Sequence, residues 1–167
     1  MRRYLPVLAA LALAPLAACQ PAARPEPAAR PIGLTPEQIA ILRDQGFSET
    51  EAGWEFGMAD RLLFATDRSQ LMSDQADRIA AIARALRGVD IVRLRVEGHT
   101  DATGSIAHNQ RLSAQRADAV ARALVVGGLP REGIEVIGRG KSQPLESNRT
   151  ASGRAENRRV VIIVPSV

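Results

Sequence analysis

One stretch constrains this chain more than any other. Val96-Glu-Gly-His-Thr-Asp-Ala-Thr-Gly-Ser-Ile-Ala-His-Asn-Gln-Arg-Leu-Ser-Ala-Gln-Arg-Ala117 reads as the end of a strand, a tight polar loop and the first half of a long helix. At about 100° per residue, the α-helical period, Ile106, Leu112, Ala119, Val120, Ala123 and Leu124 fall on one arc, which predicts the core-facing stripe. Asn109 and Arg116 fall inside that arc. Polar side chains in an apolar stripe either line a site or satisfy buried backbone or an internal carboxylate, since buried polar groups are normally paired.

The N-terminus reads as an export signal. Met1 to Tyr4 carries two arginines, and Leu5 to Ala18 is an apolar run rich in Leu and Ala, too short for the about 20 residues a membrane-spanning helix needs. It ends in Leu16-Ala-Ala-Cys19, which resembles the bacterial lipobox, so residues 1–18 are expected to be removed and Cys19 to be acylated. Cys19 is the only cysteine, so the chain holds no internal disulfide to indicate a compartment. Gln20 is not the aspartate associated with inner-membrane retention in the Gram-negative lipoproteins this resembles. The expected place is therefore the outer membrane, lipid-anchored and facing the periplasm. Loss of Arg2 and Arg3 with the signal lowers Lys+Arg from 22 to 20 against 18 acidic residues, a mature net charge of +2. That balance, with only 3% aromatics to stack on bases, argues against a nucleic-acid partner.

Residues 19–33 form a Pro- and Ala-rich tether that cannot bury a core. An extended chain of the dozen residues from Gln20 to Pro31 reaches on the order of 35–40 Å. Residues 34–53 hold a short helix and a connection: Thr35 caps, Pro36 suits the first helical position, Gly46 terminates, and Ile39, Ile41 and Leu42 should dock on something. Phe47, Trp54 and Phe56 concentrate the chain's few aromatics. They either close the core beside the first strand or form a partner-binding patch, because aromatic anchors dominate interfaces.

Residues 54–167 form the domain proper. Trp54 to Phe64 reads as a strand, and Ser73 caps a helix in which Ile79, Ile82, Ala83 and Leu86 repeat until Gly88. Ile91 to Glu97 alternates as a half-buried strand. The long helix ends at Gly127-Gly128, Glu135 to Gly138 is a short strand, and a loop leads to the apolar strand Arg159–Val164. This order predicts an α+β sandwich with two main helices on one face of a small mixed sheet.

In that frame Asp101 and the first free amides of the long helix share the mouth of one crevice. Asp101 offers an acceptor for an ammonium group, Arg116 and the helix amides offer donors for a carboxylate, and Asn109 can serve either, a set that suits a zwitterion. The competing reading pairs Asp101 with Arg116 directly. A metal held by His99, Asp101 and His108 is disfavoured because neighbouring strand residues point oppositely. Ser105 and Ser113 lack a His-carboxylate arrangement for catalysis. No cofactor and no enzymatic activity are expected.

Taken together, Val96-Glu-Gly-His-Thr-Asp101, Asn109-Gln-Arg-Leu-Ser-Ala-Gln-Arg-Ala117, Gly138-Arg-Gly140, Pro144, Asn148, Gly153-Arg154 and Asn157-Arg-Arg-Val160 resemble the OmpA-like C-terminal domain over about residues 55–165. The resemblance implies non-covalent binding of peptidoglycan through the diaminopimelate of its stem peptide. Asp101 would meet the ammonium and Arg116 the carboxylate, with Asn109 and Arg158 lining the pocket. Many members have Asp after the first-strand Phe, whereas here Phe64 is followed by Ala65, so one accessory contact is absent. The segment from Leu34 to Met58 further resembles outer-membrane lipoproteins that sequester a YfiR-like periplasmic repressor of a membrane diguanylate cyclase. That implies a partner at Phe47, Trp54 and Phe56. The alternative is a purely structural tether between outer membrane and peptidoglycan, and the sequence leaves a homodimer open.

Overall fold

The computed structural model describes residues 33–59 and 69–166. The signal segment, Cys19 and nearly all of the tether, with Leu62, Leu63, Phe64 and Ala65 of the expected first strand, lie outside the described residues. In chain order the elements are α1 (Pro36–Asp44), β1 (Ser48–Thr50), β2 (Gly53–Ala59), α2 (Ser73–Gly88), β3 (Leu94–His99), α3 (Ile106–Val126), a 3-10 turn (Arg131–Gly133), β4 (Ile134–Gly140), α4 (Ala151–Asn157) and β5 (Arg159–Val164). The strands form one mixed sheet in the order β1-β2-β5-β3-β4. Among the described strands only β3 and β4 are parallel, joined through α3, as parallel neighbours require a crossover.

Pairing in register decides the faces, because residues directly opposite across a ladder project to the same side. Trp54 lies opposite Val164, Phe56 opposite Ile162, Met58 opposite Val160, and Val96 opposite Ile162. Together with Leu94 these side chains form the sheet's contribution to the core, onto which α2 brings Ile79, Ile82, Ala83 and Leu86 and α3 brings Ala117, Val120 and Leu124. α3 approaches closely where two glycines sit side by side. Gly98 is opposite Gly138, and a Cβ on either would fall against the backbone of α3 between Gln110 and Ala114. The end of β3 is thereby seated directly beneath the helix, bringing the loop after β3 and the first turns of α3 into one corner.

The short N-terminal helix forms as its sequence requires. Thr35 and Gln38 make a reciprocal capping box, with Gln38 N donating to Thr35 Oγ1 at 3.2 Å and Thr35 N to Gln38 Oε1 at 2.9 Å. Gly46 leaves the helix at φ +87°, a conformation costly for any residue with a side chain. Leu42 is fully buried, and Gln38 Nε2 donates to Val89 O at 2.9 Å, which docks α1 beside the end of α2.

Several boundaries differ from expectation for identifiable reasons. Met72, not Ser73, precedes the first turn of α2, and no side chain caps it. The strand expected from Ile91 begins at Leu94. Ile91 instead closes α2, its N–H donating to Leu86 O at 3.0 Å while Asp90 takes φ 59°. The expected loop before β5 contains α4, capped by Thr150 accepting from Gly153 N at 2.9 Å. Ile106, placed on the core stripe by its angle, is 75% exposed, because the first turn of α3 projects beyond the core.

Candidate functional site

The corner beneath α3 is built from the backbone outward. Beyond β3, Thr100 N still donates to Gly140 O at 2.8 Å, which holds the chain flat to the sheet until Asp101. Asp101 then turns the loop, its Oδ1 accepting from Thr103 N at 2.8 Å, and Ser105 Oγ accepts from His108 N at 3.2 Å to start α3. Asn109, 2% exposed, donates through Nδ2 to Thr103 O at 2.8 Å, and less closely to Asp101 O at 3.4 Å. One of the two polar residues on the core arc thus fixes the loop backbone, where the sequence left open whether it faced a ligand. Arg116, two turns further along α3 on the same side, is 5% exposed.

Asp101 finds its charged partner 57 residues away. Arg158 Nη1 donates to Asp101 Oδ2 at 2.7 Å, so the internal pair weighed between Asp101 and Arg116 is made with Arg158. Burial pushes the Asp101 carboxyl up, but the hydrogen bonds from Arg158 and Thr103 and the Arg158 charge outweigh it, leaving it below the ordinary carboxylate value. Asp101 is accordingly a carboxylate at neutral pH.

Two asparagines brace this corner. Asn157 is fully buried: its Oδ1 accepts from Leu145 N at 2.7 Å and Glu146 N at 2.8 Å, and its Nδ2 donates to Glu146 O at 2.8 Å and Asn148 Oδ1 at 3.0 Å. Asn148 Oδ1 in turn accepts from Ala102 N at 2.9 Å. From the other side, Lys141 Nζ donates to Gly104 O at 3.0 Å. The loop carrying Asp101 and the backbone carrying Arg158 are therefore tied to the same buried asparagine. Both asparagines stand in the set of motifs that carries the family resemblance, with Asn157 beside Arg158, but nothing in that set assigns them this bracing role.

His99 lies with Glu97 on the face of the sheet turned away from α2 and α3. There Glu97, 5% exposed, accepts from Arg139 Nε at 3.0 Å and Nη2 at 2.6 Å, and Arg95 Nε lies 2.7 Å away without the alignment of a hydrogen bond. The alternation of Ile91 to Glu97 puts Glu97 on the face of the strand opposite Leu94 and Val96, away from the core. The face is as expected, but the arginines cover the carboxylate, and the Arg139 hydrogen bonds hold it below its ordinary value against the cost of burial. His99 is 3% exposed, and burial, reinforced by Arg159, pushes its imidazole down to about 4. His99 and Asp101 thus serve different sides of the sheet.

As an exposed patch, the three aromatics are not available in this conformation. Phe47, Trp54 and Phe56 are 4%, 3% and 9% exposed and belong to the core. Phe47 and Phe56 stack with ring centroids 5.4 Å apart, and the Arg43 guanidinium lies 5.3 Å over the Trp54 ring. The strand alternation that pairs Trp54 and Phe56 with Val164 and Ile162 is what turns them inward.

A five-stranded mixed sheet with its main helices on one face, ending in a charge-paired loop beneath the long helix, defines an α+β domain of OmpA-like architecture. The chain belongs to the OmpA family, whose model matches residues 63–158. It is 48% identical over 134 residues, 80% of either chain, to the outer-membrane lipoprotein YfiB of Pseudomonas aeruginosa. Among solved structures it is similar to the peptidoglycan-associated lipoprotein from Burkholderia pseudomallei (25% identity, TM-score 0.55, covering 61% of this chain and 86% of that one). It is also similar to the cell wall anchor of the T6SS from Pseudomonas aeruginosa (28% identity, TM-score 0.61, covering 78% and 95%).

Proposed function

We propose that the protein is an outer-membrane lipoprotein, anchored through Cys19 and facing the periplasm, that binds peptidoglycan without cleaving it. The observation that carries this reading is the ionised Asp101 held at the start of α3 by Thr103, Asn109 and the Asn148–Asn157 relay and paired with the Arg158 guanidinium, with buried Arg116 two turns along α3 from Asn109 taken as the second guanidinium of the site. A carboxylate and two guanidinium groups match the ammonium and carboxylate of diaminopimelate. Relatives named as an outer-membrane lipoprotein, a peptidoglycan-associated lipoprotein and a cell wall anchor support the assignment. In this reading residues 1–18 are the signal, 19–33 the tether, 34–53 the docking segment and 54–167 the binding domain. The test is Asp101→Asn, which keeps an acceptor for Thr103 N while removing the charge. Retention on diaminopimelate-containing sacculi is expected to weaken at least about tenfold, the scale of a charged hydrogen bond. Unchanged retention by a folded variant would remove Asp101 from the site.

A second reading couples the protein to a YfiR-like periplasmic repressor of a diguanylate cyclase. It is favoured by the placement of α1, whose buried Leu42 packs in the same core cluster as Phe47, Trp54 and Phe56. A partner that uses these aromatics reaches them only when this part of the core opens, and α1, which lays Arg43 over the Trp54 ring, is the element taken to move. Leu42→Ala is therefore expected to increase capture of such a repressor in a periplasmic pull-down while sacculus retention stays the same. Unaltered capture counts against α1 as the cover.

A further inference from the structure

The Asp101–Arg158 pair raises a question about any cationic ligand at this corner. Asp101 Oδ1 is engaged by Thr103 N, and Oδ2 already holds a cation, the Arg158 guanidinium at 2.7 Å. An ammonium arriving at Oδ2 meets a like charge. The backbone of Arg158 is fixed, since it follows fully buried Asn157 and leads straight into β5, but its side chain is 36% exposed and can swing about that fixed point.

We propose that Arg158 is a selectivity residue: it occupies Asp101 as an internal cation and gives way only to a ligand that brings a carboxylate beside its ammonium group. This rests on the peptidoglycan reading above. A simple amine that displaces Arg158 leaves a partly desolvated guanidinium without an anion, so the exchange gains one ion pair and loses another. A zwitterion supplies the missing anion, so Asp101 and Arg158 each end with a partner. The device thus selects the free zwitterionic end of diaminopimelate over the lone ε-ammonium of a lysine-type stem.

The test is calorimetric titration of the purified full chain with two stem tripeptides that differ by one carboxylate, L-Ala-γ-D-Glu-meso-diaminopimelate and L-Ala-γ-D-Glu-L-Lys. The first is expected to bind the wild type at least about tenfold more tightly, as when a buried polar group is otherwise left unpaired. Arg158→Gln is expected to tighten the lysine peptide about threefold or more, the scale of a partly exposed ion pair, and so to narrow the ratio. Arg158→Lys, which keeps a cation within reach, should retain most of the discrimination. If the lysine peptide binds Arg158→Gln no better than wild type, Arg158 is only a static brace and the proposal falls. Asp101→Asn separates the two levels. Loss of diaminopimelate binding there with no gain in Arg158→Gln overturns the selectivity role alone, whereas unchanged binding overturns the pocket as well.

Discussion

Trp54→Ala is expected to destabilise the fold by about 3–5 kcal/mol, the range for truncating a buried aromatic. The ring is 3% exposed, projects from the second strand of the sheet opposite Val164, and carries Arg43 over its face. Removing it leaves a cavity between β2 and the core and frees Arg43, neither of which a packed interior refills. Domains of this size are stable by only about 5–15 kcal/mol, so the loss is a large fraction of the total. Urea unfolding checks it: the midpoint should fall steeply with little change in slope. A loss below about 1 kcal/mol would mean that the ring does not pack in solution as it does here, and would return Trp54 to the surface as an interface anchor.

The second large effect is a pH dependence centred on His99. Its imidazole is pushed from 6.5 down to about 4 by burial and by Arg159, with Glu97 opposing and Arg139 adding to the shift. Between these values the unfolded chain binds a proton that the folded chain refuses. Stability is therefore complete above about pH 6.5 and declines as the pH falls towards 4, by about 3 kcal/mol over the window. Glu97 and Asp101, whose carboxyls are lowered, act in the same direction but only below their unfolded values of 4.5 and 3.8. The interval from pH 6.5 to 5 thus isolates the imidazole. Unfolding midpoints measured across it should slope for the wild type and flatten for His99→Gln. An equal slope in both proteins would show that His99 is not the group being titrated.

What the sequence disclosed follows from how far each signal reaches. The long helix, the apolar strand at Arg159–Val164 and the misfit of Asn109 and Arg116 were legible because helical and strand periods act over a few neighbouring residues. The direct pairing of Asp101 was not, since no local rule connects it to Arg158, 57 residues away; the family resemblance brings Arg158 to the same pocket only as a lining residue. α4 was hidden for a different reason. Gly153 made the segment read as loop, yet this glycine is helical and buried, and a Cβ there would strike the Ser147 carbonyl. Glu97 looked solvent-facing because alternation reports which side of the strand a residue takes, and says nothing of Arg139 and Arg95 folding over it. For the aromatics, composition raised the interface reading, but the ladder register with β5 decides their direction.

Gly33, where the described chain begins, lies against Ser166, where it ends, with a Cβ position 3.8 Å from the Ser166 carbonyl oxygen. That meeting point is at the Val164 end of β5, whereas Arg158 and Asp101 sit at the other end of β5 and its neighbour β3. About 20 Å of strand separates entry from crevice, at about 3.3 Å per residue. A pull between the N-terminal segment and anything held at Asp101 therefore runs lengthwise along the central strands. Since the chain from Gly33 runs through α1 and β1 into β2, such a load crosses the β2–β5 and β5–β3 ladders in turn, along the strands and not across them.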